Sequence, residues 1–295
     1  MDSDVDKPPC RFCHGQKVTG WGRRYNRSSI KQRWYCKDCG RTFTCDDGFL
    51  WRHHTGIVIA ESLSLHLRGC SESDTVDHMR QNHGARINRG TIHRWIQDYS
   101  RRLHGFLGLF KPRLRGSIHA DEVIVKVKRC HDYSWGAIDR RTRFKISGPL
   151  TLTRSYRLGT VPLYEKLRDG CEGLPPRIVS DKLGHYRRAF NKYFYHSGVR
   201  MVHGVPIACR KHGLKHNNNP IERENQRIKT RTKTMRGFKS HISCKRFLDM
   251  LDITHNFIKP NMALNGSYPA EEANIKLPIG RNRLLSLIQI SATPF

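Results

Sequence analysis

Acidic residues are scarce in this chain: 295 residues hold Lys+Arg 54 against Asp+Glu 25, a formal net charge of +29. An excess that large argues against an acidic partner-free existence and points to a polyanion, most often nucleic acid. An acidic membrane surface is the competing reading. Long apolar runs are missing as well, since no stretch of about 18 residues could span a bilayer. The start, Met1 to Asp6, lacks the charged-then-apolar pattern of a signal peptide. A soluble, cytoplasmic and nucleoid-associated protein is expected. A disulfide framework is absent too. Of 10 cysteines, Cys45, Cys70, Cys130, Cys171, Cys209 and Cys244 are scattered, and are expected to be free thiols, mostly buried.

The remaining cysteines are ordered. Cys10 and Cys13 form one Cys-x-x-Cys knuckle, and Cys36 and Cys39 form a second, about twenty residues on. Two thiolates from each suit one tetrahedral structural zinc ion. The segment between them, with Val18, Trp21, Tyr25, Trp34 and Tyr35, can form a short β-ribbon. No thioredoxin-like pattern surrounds either pair, so redox chemistry is disfavoured. Arg11, Lys17, Arg23, Arg24, Arg27, Lys31, Arg33, Lys37 and Arg41 make the ribbon basic enough to touch DNA.

From Phe49 to Leu107 the apolar residues recur with helical period. One helix carries Ile57, Ala60, Leu63 and Leu67 and stops at Gly69. A second is capped by Ser71 and holds Val76 and Met79. A third starts at Thr91, buries Ile92, Trp95 and Ile96, and exposes His93, Arg94 and Gln97. That succession reads as a helix-turn-helix with the third as recognition helix. An ordinary three-helix packing unit is the plainer alternative. Lys111, Pro112 and Arg113 serve as a linker.

Beyond it, Ser117–Lys128 is a strand by its β-branched run. His131, Asp132 and Tyr133 are expected to form a turn, and strands follow at Trp135–Asp139 and Phe144–Thr151. A helix over about 159–168 leads to a strand at Arg177–Ser180, ending at Asp181. A helix at Tyr186–Tyr195, a strand at Val199–His203 and a late helix complete the order. That late helix opens with Asn219 as N-cap, Pro220 at its first position and Glu222 three residues after the cap. Glu222 then either closes a capping box with Asn219 or binds a metal ion. The helix continues with Arg227, Lys229, Arg231, Lys233 and Arg236, a cationic run suited to DNA phosphates.

Three antiparallel strands followed by helices alternating with strands is the element order of an α/β, ribonuclease H-like fold. In that fold the central first strand, the end of the fourth strand beside it and a late helix converge, here carrying Asp121 within the first strand, Asp181 at the end of the fourth and Glu222 on the helix. Hard carboxylate oxygens suit Mg²⁺, and two such ions about 4 Å apart can activate the attacking oxygen and stabilise the leaving oxygen of a phosphodiester. Glu122 is expected on the opposite strand face, and Glu224 lies about 200° around the helix from Glu222, so neither substitutes. Asp132 and Asp139 are expected in solvated turns. His212 and His216 are read as loop residues facing DNA or solvent.

Ala120-Asp121-Glu122, Val179-Ser180-Asp181-Lys182 and Asn218-Asn219-Pro220-Ile221-Glu222-Arg223 resemble the motifs of DDE-type insertion-sequence transposases. The stretch Phe257–Gly266, with Pro269, Ala270 and Glu271 after it, resembles the tail of such domains, so the likeness spans about 10–272. It implies a zinc ribbon at 1–48, a helix-turn-helix segment and linker at 49–112, a ribonuclease H-like catalytic domain at 113–272 and a tail at 273–295. It also implies Asp121, Asp181 and Glu222 as catalytic Mg²⁺ ligands (Mn²⁺ being an alternative ion), structural Zn²⁺ on Cys10, Cys13, Cys36 and Cys39, and a DNA-end contact by Lys229. Its partners would be double-stranded DNA, at the terminal inverted repeats and at the target, bound by a homodimer or higher oligomer. The reaction would free a 3′-OH and join it to target DNA without a covalent protein–DNA intermediate. A silent DNA-binding regulator and a nuclease that cuts without joining are the alternatives. In the tail, Leu284, Leu285, Leu287 and Ile288 suggest a short amphipathic helix suited to an oligomer contact.

Overall fold

The computed structural model describes residues 7–26, 29–181, 183–204 and 218–292. Cys209, His212 and His216 lie outside them. The chain divides into two compact units, Met1–Trp95 with Ile279–Phe295, and Ile96–Pro278.

The first unit opens with an antiparallel sheet of β1 (Val18–Tyr25), β2 (Ile30–Cys36) and β3 (Thr42–Thr44), in the order β1-β2-β3. Its core is only Cys10, Val18, Cys36 and Phe43, with Trp34 and Cys39 packed against it. So small a core cannot offset the chain entropy of ordering the ribbon, and a metal staple is the usual remedy. Helix α1 (Gly56–Arg68) is capped by the Thr55 side chain and stopped by Gly69 at φ +134°; α2 (Glu72–His83) starts with a capping box between Ser71 and Asp74. Helix α3 (Arg89–Leu107) begins before the expected Thr91, because the Asn88 side chain accepts from the Thr91 amide and hydroxyl and becomes the cap. His93 and Arg94 are exposed. The tail is indeed helical: α9 (Arg283–Ile290) buries Leu284, Leu287 and Ile288 within this unit, against α1. Its apolar face is therefore consumed internally rather than left for an oligomer contact. Gly48, at φ +91°, admits the helix closely; a Cβ there would lie 2.7 Å from the Ile288 carbonyl oxygen.

The second unit is built on a five-stranded sheet in the order β6-β5-β4-β7-β8. Strands β4 (Ile118–Val127), β5 (Cys130–Asp139) and β6 (Lys145–Thr151) are antiparallel, while β7 (Arg177–Ser180) and β8 (Arg200–His203) run parallel to β4. The first of these strands is thus central, and the sheet is the mixed one of a ribonuclease H-like core. Helices α4 (Val161–Asp169), α5 (Gly184–Phe194), α6 (Asn219–Thr234) and α7 (His241–Ile253) accompany it, with the short α8 (Pro269–Glu272) before the boundary of the unit. Trp135, Tyr164, Tyr186 and Phe194 form an aromatic cluster in the core.

Three local expectations change. The turn falls at Lys128 and Arg129, both with positive φ as a two-residue hairpin loop demands, and His131, Asp132 and Tyr133 lie inside β5. Asp132 and Asp139 are buried, not solvated. Asp132 is paired with His241 at 2.7 Å, and Asp139 accepts from the backbone amides of Arg115, Gly116 and Arg141 at 2.7–3.1 Å, which ties the hairpin to the incoming chain. Among the scattered cysteines Cys171 and Cys244 are buried, but Cys45 and Cys130 are exposed because they sit at strand ends beside turns.

Candidate active site

Parallel pairing of β4 with β7 joins Ile118 to Ile178 and His119 to Val179, and then ends. Past that point β4 keeps β5 on one side, with Asp121 opposite Gly136, and loses β7 on the other. The notch is where β7 gives way to Asp181, level with Asp121 on the extended register. The carboxylate oxygens of Asp121, Glu122 and Asp181 lie within 4.8 Å of one another. Glu122 therefore does not leave the site, as strand alternation alone predicts. The open edge lets its longer side chain return, and two partners anchor it there: Tyr186 donates its hydroxyl to Oε2 at 2.8 Å, and Arg154 meets Oε1 at 2.8 Å.

The electrostatics follow from this crowding. Burial, then the Glu122 charge and that of Asp181, push the Asp121 carboxyl up to about 7, against the pull of an Asn225 amide. Burial also raises Glu122, and the Tyr186 hydroxyl and Arg154 guanidinium offset it only in part. Burial and the Glu122 carboxylate raise the Tyr186 phenol well above its ordinary value. Three carboxyl groups in one half-buried notch repel each other in the absence of a cation, and oxygen donors are what a hard divalent ion takes. The residues present therefore fit Mg²⁺.

Helix α6 meets this notch at its first turns. Its N-cap is Asn218, one residue earlier than expected, and no side chain caps the helix. The Asn218 amide instead bridges β4, contacting His119 Nδ1 at 3.3 Å and donating to the Ala120 carbonyl at 3.1 Å. The capping box between Asn219 and Glu222 is thus not formed. One turn on, Asn225 donates to Asp121 Oδ2 at 2.8 Å. Glu222, three residues before Asn225 and so on the same side of the helix, is exposed and makes no ion pair among the described residues. It is not part of the carboxylate cluster as the side chains stand. Glu224 points elsewhere, to Arg227 at 3.2 Å and His255 at 3.3 Å.

Along the rest of α6, Lys229 and Lys233 are exposed, as is Arg236 just beyond the helix. Arg227 is engaged with Glu224, and Arg231 lies over the Phe247 ring at 5.8 Å. On α3, Gln97 is half-buried and accepts from Arg246 at 3.4 Å. Asn225, Tyr186 and Arg154 are not singled out as site residues by the sequence, and Asn218 is named only within the Glu222 motif, although Asn225 at three residues from Glu222 carries a helical-spacing signal.

In the first unit, Cys10 and Cys39 Sγ are 3.6 Å apart, as are Cys13 and Cys36 Sγ, and all four lie within 4.8 Å of one another. Tetrahedral zinc with Zn–S near 2.3 Å needs S–S separations of about 3.8 Å. The set fits zinc with little adjustment. The Phe12 amide points at Cys10 Sγ at 3.4 Å; although burial raises that thiol, such amides bring it down to about 7.

A family profile described as a DDE domain matches residues 115–261. Among solved structures, the chain is similar to one in an intasome of simian T-cell lymphotropic virus (TM-score 0.41, 11% identity, 58% of this chain). The alignment spans 60% of that viral chain. It is also similar to the HTLV-2 integrase catalytic core domain in complex with magnesium, with TM-score 0.39, 11% identity, 56% of this chain and 99% of that one. No curated protein matches the sequence. No helix among the described residues is long and apolar enough to cross a membrane.

Proposed function

We propose that this chain, which matches a DDE domain profile over 115–261, is a Mg²⁺-dependent transposase that cuts the ends of an insertion sequence and joins them to target DNA. The observation that carries this reading is the convergence of Asp121 and Asp181 at the open end of the sheet, where burial and then the neighbouring carboxylates raise Asp121 to about 7. We assign Asp121, Asp181 and Glu222 as the ion-holding carboxylates. Divalent ions bound there would polarise the scissile phosphodiester and activate the attacking hydroxyl.

The chain's own residues prepare that site. Asn225 fixes Asp121 Oδ2, and Asn218 pins the first turn of α6 to β4, so that Glu222 extends from a helix anchored beside the notch. Glu122 has both oxygens committed to Tyr186 and Arg154, which favours Glu222 as the third ligand and leaves Glu122 to set the charge of the notch. Lys229, Lys233 and Arg236 are the α6 cations exposed to phosphate, while Arg227 and Arg231 support the helix from within. His93 and Arg94 would read the terminal inverted repeats from α3, with Gln97 contributing from its half-buried position. Zn²⁺ on Cys10, Cys13, Cys36 and Cys39 would hold the ribbon. Paired ends require at least a dimer on DNA, in the nucleoid.

The test is a reaction on DNA carrying the gene's own flanking sequence, comparing native protein with Glu222→Gln, each with and without Mg²⁺. Metal-dependent cutting and joining lost in Glu222→Gln is expected. Binding without cutting by either protein would replace the enzyme with a DNA-binding regulator, and cutting without joining would replace it with a nuclease.

A further inference from the structure

The helical segment of the first unit contains a cluster that DNA binding does not use. Glu61 lies on α1, and His78 and His83 lie on α2. His78 Nε2 meets Glu61 Oε1 at 3.0 Å, and His83 Nε2 meets Glu61 Oε2 at 2.9 Å. Both imidazoles thus aim the same ring nitrogen at one carboxylate, and the three donor atoms lie within 4.8 Å of one another. Two consecutive, packed helices bring them together, while Ile59, Leu63 and Met79 on the same helices are buried.

From this geometry we infer that Glu61, His78 and His83 form a second metal site, for Zn²⁺ or a similar borderline divalent cation. Two imidazoles and a carboxylate are a donor set that zinc accepts with a fourth position open to water. Ligands at 2.0–2.2 Å from a tetrahedral ion sit about 3.4 Å apart, so the two imidazole–carboxylate separations need to widen by only a few tenths of an ångström, with the imidazoles turning onto the same ion. The side chains have that freedom, being 28–41% exposed. Coordination needs the Nε2 lone pair, so each ring must carry its proton on Nδ1. For His78, Asn82 Nδ2 now lies 3.3 Å from Nδ1 and donates to the His78 carbonyl at 3.0 Å, so moving the ring proton to Nδ1 requires the exposed Asn82 side chain to turn away and leave Nδ1 to water. The ion would replace two hydrogen bonds by a clamp across α1 and α2. It would thereby hold the spacing of the helices that precede α3.

The experiment uses the zinc-depleted full chain titrated with Co²⁺ in excess Mg²⁺, which occupies sites made of carboxylates alone. Native protein is compared with His83→Gln and Glu61→Gln. Thiolate-to-metal charge transfer reports the four-cysteine site; the second site contributes d–d absorption without it. Two equivalents are expected in the native chain and one in each variant, with the thiolate signal unchanged and thereby showing that the ribbon still folds. A zinc-induced rise in the unfolding temperature of native protein should shrink in both variants. If the native chain and both variants take up the same number of equivalents, the cluster is a proton-linked ion triad and the metal site is overturned. Loss of the thiolate signal alone would count against the cysteine site and leave this one standing.

Discussion

The four cysteines of the ribbon and the carboxylates of the notch are both clusters of groups that could hold a metal ion, yet they are built in opposite ways. The cysteines come from two knuckles within the first 39 residues, and four soft ligands would close a tetrahedron around zinc with no position left for substrate. The carboxylates come from β4 and the end of β7, far apart in sequence, and remain open along a sheet edge. Under the proposed zinc site, the first arrangement would make the fold depend on the ion. The other makes the ion depend on the fold, since burial and like charges hold Asp121 at about 7 until a cation arrives.

The comparison breaks most sharply at the ribbon. Cys36→Ser should release zinc and with it zinc-coupled folding free energy of about 10 kcal/mol. Hydrogen exchange should then show loss of protection over 18–44, with protection in the sheet of the second unit kept. The mirror-image change, Asp181→Asn, should lower DNA cleavage about 10³-fold or more. Its unfolding temperature should not fall, because one repelling charge has been removed from the notch. Smaller effects sharpen the picture. Asn225→Ala frees Asp121 Oδ2 and should lower cleavage roughly 10–100-fold, with a higher Mg²⁺ requirement read from the metal titration.

Tyr186→Phe leaves a buried Glu122 oxygen without its donor and should cost about 1–3 kcal/mol in denaturant unfolding. The smallest effect lies away from both sites. Glu224 is opposed by its own burial, but His255 and Arg227 hold it down at about 2, below its ordinary 4.5. A depressed carboxylate stabilises fully above its unfolded value and loses that contribution as pH falls through the folded one. Glu224→Gln should therefore be about 1 kcal/mol less stable near neutrality, the gap closing as the pH approaches 2. Acid titration of both proteins measures it.

Legibility in the sequence followed the same division. Knuckle spacing is local, so the cysteine set could be read directly, as could the caps at Gly69 and Ser71. The strand order of the second unit could be read because its β-branched runs and helices alternate cleanly. What escaped were features decided by tertiary contact. The return of Glu122 depends on β7 ending at the level of Ser180, which strand alternation cannot express. Asp132 and Asp139 looked like turn residues, but their buried partners His241, Arg115 and Gly116 are distant or irregular in sequence. Asn218 took over the helix start because its amide had a use on β4. The Glu61, His78 and His83 cluster needs two packed helices before it exists at all.

On the proposed function, the second unit uses its carboxylates to hold a catalytic divalent ion, independently of the zinc proposed for the ribbon. Its most direct test measures DNA end cleavage and zinc content in the same preparations, native and Asp181→Asn, as Mg²⁺ is withdrawn and restored. Cleavage should appear only with Mg²⁺ and only in the native protein, while zinc content stays constant throughout. Cleavage that persists in Asp181→Asn, or that proceeds with no divalent ion beyond the zinc, would contradict it.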